Sequence, residues 1–280
     1  VGFLLFQNHA DTATLSTTTS GSMLRPLTEL QKKWARGLCR GPINDIGGGG
    51  CGLVIRADLG ENKRVRMVGV VGLNAVTQIQ GYVSLSAVSA GGSELATGTI
   101  GWNSTLGETY GQSIWYTPPA SVNARYIEIS LEVYGRDSGS KHVDARRLLI
   151  LDGLHLSDGW DKDWSTRPVD QSTSTATPKG GIFVGEQNQY REARFSGSGM
   201  TKAEAKGSAS AWSLEDALRE AGKRKEVVWS PRQYTDEADP DMFINTIYGR
   251  LVDWARIEHT GGDTYRCDSI VAHETPYPAL

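Results

Sequence analysis

Val65-Arg66-Met67-Val68-Gly69-Val70-Val71-Gly72-Leu73 is a run of strand length, dense in β-branched and apolar side chains and followed by Asn74. That composition suits a pleated surface with at least one buried face. Three more stretches of the same kind follow it: Gly81 to Val88, Arg125 to Tyr134 and Arg147 to Leu154, each bounded by Gly, Asn, Ser or Asp. No stretch of helical period interrupts them. A sheet with one apolar face must hide it against a second layer, so short strands at this spacing predict a β-sandwich or jelly roll over residues 1–156.

Toward the amino end, Cys51-Gly52-Leu53-Val54-Ile55-Arg56-Ala57-Asp58-Leu59-Gly60 reads as a strand closed by a turn at Gly60. The four glycines Gly47 to Gly50 before it match neither GxxxxGK[ST] nor GxGxxG opening a helix, and they read as a hairpin link. Pro26 to Gln31 predicts one helical turn, Trp34 is an apolar anchor, and Thr12 to Ser22 is a Ser/Thr-rich strand and loop. Val1-Gly2-Phe3-Leu4-Leu5-Phe6 is apolar but far shorter than the roughly 18 residues of a membrane span. It lacks the charged start of a signal peptide and reads as a buried first strand. No membrane span is expected.

Toward the carboxyl end the composition changes. Residues 157–185 read as a linker or extended arm, with Ser/Thr repeating from Ser165 to Gly181. Residues 186–280 read as an α+β unit with one main helix. The helix opens on Thr201-Lys202-Ala203-Glu204, a capping-box pattern in which the Thr hydroxyl and Glu carboxylate satisfy exposed backbone donors. It stops at Gly222, and Gly207 and Ser213 are points where it can break in two. Val227 to Trp229, Ile244 to Trp254 and Tyr265 to His273 predict further strands around the turn Thr260-Gly261-Gly262-Asp263.

The charge balance limits function. With 29 Lys+Arg against 32 Asp+Glu among 280 residues, the chain carries −3 and shows no basic stripe, which argues against a protein that grips phosphate backbones. Lys223-Arg224-Lys225 is one short run, and cations at a helix C-terminus have a structural role in the macrodipole. The three cysteines form no CxxC pair and predict buried thiols in a reducing cytoplasm. The five histidines form no HxH or HExxH set, and Gly197-Ser198-Gly199 does not complete a nucleophile elbow. Asp158-Gly159-Trp160-Asp161-Lys162-Asp163 and the acidic loop Asp236 to Asp241 lack the EF-hand spacing and read as solvated turns. No enzyme, metal or cofactor is expected. Aromatic side chains are the candidates for binding: Trp102, Tyr110, Trp115 and Tyr116 lie in or near Gly-rich connections, where a sugar face could stack on a ring, the alternative being the sandwich core or a protein interface.

A resemblance covers nearly the whole chain. Asn8-His9-Ala10-Asp11 with its Ser/Thr run, Pro26 to Gln31, Trp34, Ala57-Asp58-Leu59-Gly60, Val65 to Asn74, Ala124 to Ile129, Leu148 to Leu156 and Ile247-Tyr248-Gly249-Arg250-Leu251 resemble a family of tailed-bacteriophage minor tail and baseplate proteins. The resemblance implies a discoidin-like, galactose-binding-like amino-terminal sandwich and a distal-tail-like carboxyl-terminal domain. It implies a structural virion protein at the tail tip, made in the bacterial host cytoplasm. Its partners would be copies of itself in a ring and the tube, tape-measure, hub and fibre proteins. Val1 to Phe6, Thr12 to Ser22 and Ser165 to Gly181 would serve as arms that order across neighbours. The alternative is a host-surface glycan-binding module of the virion.

Overall fold

The computed structural model describes residues 2–43, 45–47, 50–73, 78–88, 93–103, 113–134, 142–170, 172–176, 182–185, 189–208, 212–232 and 245–275. The chain divides into two compact units, one of Leu5–Gly153 with Gln233–Thr246, the other of Val1–Leu4, Leu154–Arg232 and Ile247–Leu280. The fold is mainly β and antiparallel.

The strands of the first half are β1 (Gly2–Asn8), β2 (Thr14–Ser16), β3 (Cys39–Arg40), β4 (Asp45–Gly47), β5 (Gly50–Val65), β6 (Met67–Val71), β7 (Gln78–Ser86), β8 (Glu94–Asn103), β9 (Ser113–Tyr116), β10 (Val122–Tyr134), β11 (Asp144–Ala145) and β12 (Arg147–Leu156). In the unit that begins at Leu5, one sheet runs β2-β5-β10-β7-β8, with β4 beside β5. The second runs from the later residues of β1 through β12 and β6 to β9. Along the first sheet burial alternates as a half-buried sheet requires: Leu53, Ile55, Ala57, Val83, Leu85, Ile127, Ile129 and Leu131 are in the core, while Arg56, Asp58 and Glu128 are not. In the second sheet β6 and β9 are buried throughout. These two faces close the predicted sandwich.

Two features refine the predicted strands. Val65 to Leu73 is not one strand: the chain changes sheets at Arg66, whose backbone N–H donates to Leu151 O at 2.8 Å. Gly60 does not end β5 either. It sits at φ +80°, where Ala124↔Lys63 gives way to Tyr126↔Asp58, so it forms a bulge inside a strand of 16 residues. Its N–H donates to Asp58 Oδ1 at 2.8 Å. The glycine link is a hairpin as predicted, with Gly47 opposite Gly50.

Asn8 ends β1, and its side chain replaces backbone pairing. Its Nδ2 donates to Leu148 O at 3.0 Å, and its Oδ1 accepts from Ile150 N at 2.9 Å and Ala10 N at 3.1 Å. The chain then enters a 3-10 turn, His9–Thr12, that puts Asp11 2.6 Å from the fully buried Arg147 guanidinium. Pairing and hydrogen bonding are what make such a buried charge tolerable.

The other unit contains β13 (Ser165–Val169), β14 (Thr173–Ala176), β15 (Ile182–Gly185), β16 (Tyr190–Thr201), α1 (Lys202–Lys206), α2 (Leu214–Ala221), β17 (Val227–Ser230), β18 (Ile247–Trp254), β19 (Glu258–Gly261) and β20 (Thr264–Glu274). Its sheet runs β13-β16-β20-β18-β17 and ends on the first residues of β1, with β19 beside β20 and a separate β14–β15 pair. The core is aromatic: Phe195 stacks on Trp229 at 4.7 Å, and Trp160 and Trp164 meet these two rings edge-on. The predicted main helix is two helices, each opened by a complete capping box.

Candidate functional site

Register brings several strand ends to one rim of the sandwich. Cys51, Val133, Ile79 and Trp102 stand in one row across β5, β10, β7 and β8, and Val71, Ser113 and Arg147 stand in one row of the facing sheet. Short connections join β6 to β7 and β8 to β9 at these ends, so both rows belong to the same end of the sandwich.

Polar side chains gather there from β3 and from the segment entering β12. The β3–β11 pair sets Arg40 opposite Asp144. Arg40 grips Asp144 with two bonds, Nε to Oδ1 at 2.8 Å and a terminal nitrogen to Oδ2 at 3.0 Å. His142 Nε2 lies 3.5 Å from the same carboxylate. The carboxylate is buried, whereas the Arg40 side chain keeps 35% of its surface and His142 13%. The bond to Asp144 holds the Arg40 guanidinium above its ordinary pKa. Burial acts oppositely on Arg146, whose side chain packs where a Cβ on Gly72 would meet it at 2.7 Å. The result is a preorganised array of planar donors around one fixed acceptor. The thiol beneath it is not a nucleophile, because burial, with Asp144 and Glu29 adding to it, pushes Cys39 up to about 12.

The aromatic candidates divide. Trp102 is the penultimate residue of β8 in the row of buried Cys51, Val133 and Ile79; its side chain and all of Tyr110 lie outside the described residues. Trp115 and Tyr116 are corrected. They are 1% and 3% exposed, and Trp115 covers Gly69 so closely that a Cβ there would meet its ring at 2.4 Å. Neither offers a face to a sugar. The core-packing alternative holds for both, because β9 is buried along its whole length.

Other sequence features resolve as structure. Asp161 accepts from Ser198 N at 3.1 Å and from Ser196 Oγ at 2.7 Å, tying the turn after β12 to the irregular part of β16. Gly197-Ser198-Gly199 is therefore part of a bulged strand. Among the described residues no group of three or more His, Cys, Asp or Glu could hold a metal ion. Lys225 pairs with Glu220, and Lys223 lies 5.9 Å from the Trp254 ring centroid. The acidic loop from Asp236 to Asp241 lies outside the described residues. A cavity of about 350 Å³ lies beside Lys206, Leu218, Arg219 and Trp254, but Lys206 is paired with Glu215 and Arg219 with Asp216.

The residue set at the rim was missed from sequence. Arg40 and Asp144 are 104 positions apart, and it is the β3–β11 pairing that sets them opposite each other. The alternation of polar residues at 142, 144 and 146 was the one local signal.

The class defined by these registers is a two-sheet antiparallel β-sandwich with a second, mainly β unit that carries two short helices. No protein-family description matches the chain, and no curated protein matches it. Solved structures do. A family 32 carbohydrate-binding module from C. perfringens NanJ, solved with galactose, is 14% identical over 54% of this chain and 100% of its own, with a TM-score of 0.36. The lectin-binding domain of Lectinolysin, a His 62 mutant solved with Lewis b, is 14% identical over 53% of this chain and 97% of its own, at 0.37. A fucose-binding module of Streptococcus pneumoniae is 13% identical over 52% of this chain and 95% of its own, at 0.36. TM-scores of this size transfer no ligand.

Proposed function

We propose that this protein is a non-enzymatic carbohydrate-binding protein that holds a glycan at the Arg40–Asp144–His142 rim of its sandwich. The observation that carries the reading is the bidentate Arg40–Asp144 pair with His142 on the same carboxylate, at a rim to which the register of β8 also brings position 102. Neighbouring sugar hydroxyls are donors and acceptors set a fixed distance apart. Planar guanidinium and imidazole groups, held in place before binding, satisfy them at low entropic cost, and an aromatic ring accepts the C–H face. The solved modules named above are carbohydrate binders, which is consistent with the reading and does not carry it.

A glycan array followed by titration calorimetry tests it. The intact chain is expected to bind a defined glycan, and His142→Ala or Trp102→Ala to weaken that binding at least about tenfold, or 1.4 kcal/mol, with unchanged far-UV circular dichroism. A chain that binds nothing on the array, or whose binding ignores both substitutions, is not a lectin of this kind.

A second reading is a structural component of a tailed-phage tail tip, located in the virion, working by symmetric assembly. It is favoured by the sequence resemblance, whose quoted residues fall at joints of the fold: Asn8 bridging to β12, Gly60 in the β5 bulge, Arg66 at the change of sheet. Rings in electron micrographs of the purified chain, with no glycan bound on the array, would favour this reading. The two are compatible, since a tail protein can also hold a sugar.

A further inference from the structure

The backbone pairing at the rim extends one segment beyond β3. Arg25 bridges Arg40 in antiparallel fashion, its N–H donating to Arg40 O at 3.1 Å and its carbonyl accepting from Arg40 N at 3.4 Å. Arg40 in turn stands opposite Asp144. Residues opposite each other in paired extended segments put their side chains on the same side. Arg25, Arg40 and Asp144 therefore form one row.

The charges in that row do not balance. Both Asp144 oxygens are bonded by Arg40. Arg25 is exposed, and among the described residues no carboxylate is paired with it. Glu29, an acid near enough to feel Arg25, is bonded to Lys32 at 2.7 Å. Arg146 is close enough to be repelled by Arg25 and attracted by Asp144. Three guanidiniums thus share the field of one carboxylate, in a chain whose net charge is −3. Like charges set opposite each other cost stability. A neutral ligand laid over them would also strip water from cations it cannot compensate.

Resting on the glycan-binding reading above, we propose that the sugar held at this rim is acidic, and that Arg25 and Arg40 together bind its carboxylate. Arg40 uses two of its five donors on Asp144 and keeps 35% of its side chain exposed, so donors remain for a second acceptor. A carboxylate is planar and takes the guanidinium fork with two parallel bonds. Apolar surface is at hand for the sugar's C–H face: Leu24 is 50% and Ile43 67% exposed, in the same two segments that carry Arg25 and Arg40. Asp144 fixes the Arg40 plane, and Arg25 supplies the charge that selects the ligand.

An array of glycans in matched pairs, each uronic acid beside its neutral methyl ester, tests this on the intact chain, with titration calorimetry on the tightest pair. The acid is expected to bind at least about tenfold tighter than its ester, and the advantage is expected to shrink as salt is added. Arg25→Gln should remove most of that advantage at unchanged far-UV circular dichroism. Arg167→Gln, an equal loss of charge at an exposed side chain of the other unit, should leave it whole. Esters bound as tightly as acids, an acid preference that survives Arg25→Gln, or a preference for sulfated over carboxylated sugars would each overturn the inference while a glycan-binding rim still stands. A chain that binds neither acids nor esters would overturn both.

Discussion

Trp115 shows how a residue chosen for its chemistry can be claimed by packing. It pairs with Gly69 across β6 and β9, and its ring occupies the space a side chain at 69 would need. Trp115→Ala should therefore cost about 3–5 kcal/mol of stability through cavity formation, measured as a fall in the urea midpoint at unchanged slope. A loss of glycan binding in that variant would report unfolding rather than contact. His9 gives the residue-scale pH dependence. Burial holds its pKa below the ordinary value; the Nε2–H donated to Arg64 O at 3.2 Å and nearby Asp152 oppose this, while Lys63 and Arg64 reinforce it. A proton therefore binds the unfolded chain more readily than the folded one. The stabilising contribution is present above the unfolded value of about 6.5 and is lost as pH falls through the lowered folded value. His9→Gln keeps a donor for the carbonyl and should flatten the stability profile below about pH 6.5, read by urea titrations at stepped pH. An unchanged slope would mean that His9 titrates alike in both states.

Elements were legible wherever their signals were local. Thr201 and Glu204 form the capping box that their spacing predicts: Glu204 Oε2 accepts Thr201 N at 2.9 Å, and Thr201 Oγ1 accepts Glu204 N at 3.3 Å. Glu204 also accepts from Ser157 N at 2.9 Å, which no spacing rule could show because the partner lies 47 positions away. Burial raises the Glu204 pKa, yet the bonds from Ser157 and Thr201 outweigh it and hold the carboxyl below its usual range. The break between α1 and α2 follows from Gly207 at φ +104° and from a second box, Ser213 with Asp216. That box was obscured because Asp stands where Glu or Gln is the usual signal. Thr201→Ala should cost about 1 kcal/mol, measured by thermal or urea unfolding, while Thr201→Ser should restore most of it. Equal loss in both variants would mean that the methyl group rather than the hydroxyl matters.

At the scale of the whole molecule, sequence pattern reported layers but not partners. Alternation in β5, β7 and β10 announces a sandwich; the Arg40–Asp144 pair and the aromatic cluster do not announce themselves, because each depends on registers between distant segments. The amino terminus makes the point testable. Val1–Leu4 belongs to the same compact unit as Leu154–Arg232 and Ile247–Leu280, not to the unit its sequence neighbours form. Phe3 is 2% exposed and its ring meets His155 at 5.4 Å, and Gly2 lies so close to Trp160 that a Cβ would meet the indole at 2.5 Å. A residue at position 3 thus helps close a core whose remaining aromatics lie more than 150 positions away. Phe3→Ala should destabilise that unit by about 3–5 kcal/mol. Tryptophan emission should report it, since Trp160, Trp164 and Trp229 all sit in this unit and would become wetter at a lower urea concentration. An emission transition that stays in place after Phe3→Ala would show that the first strand is peripheral to this core, and that its apolar run is available for contacts outside the chain.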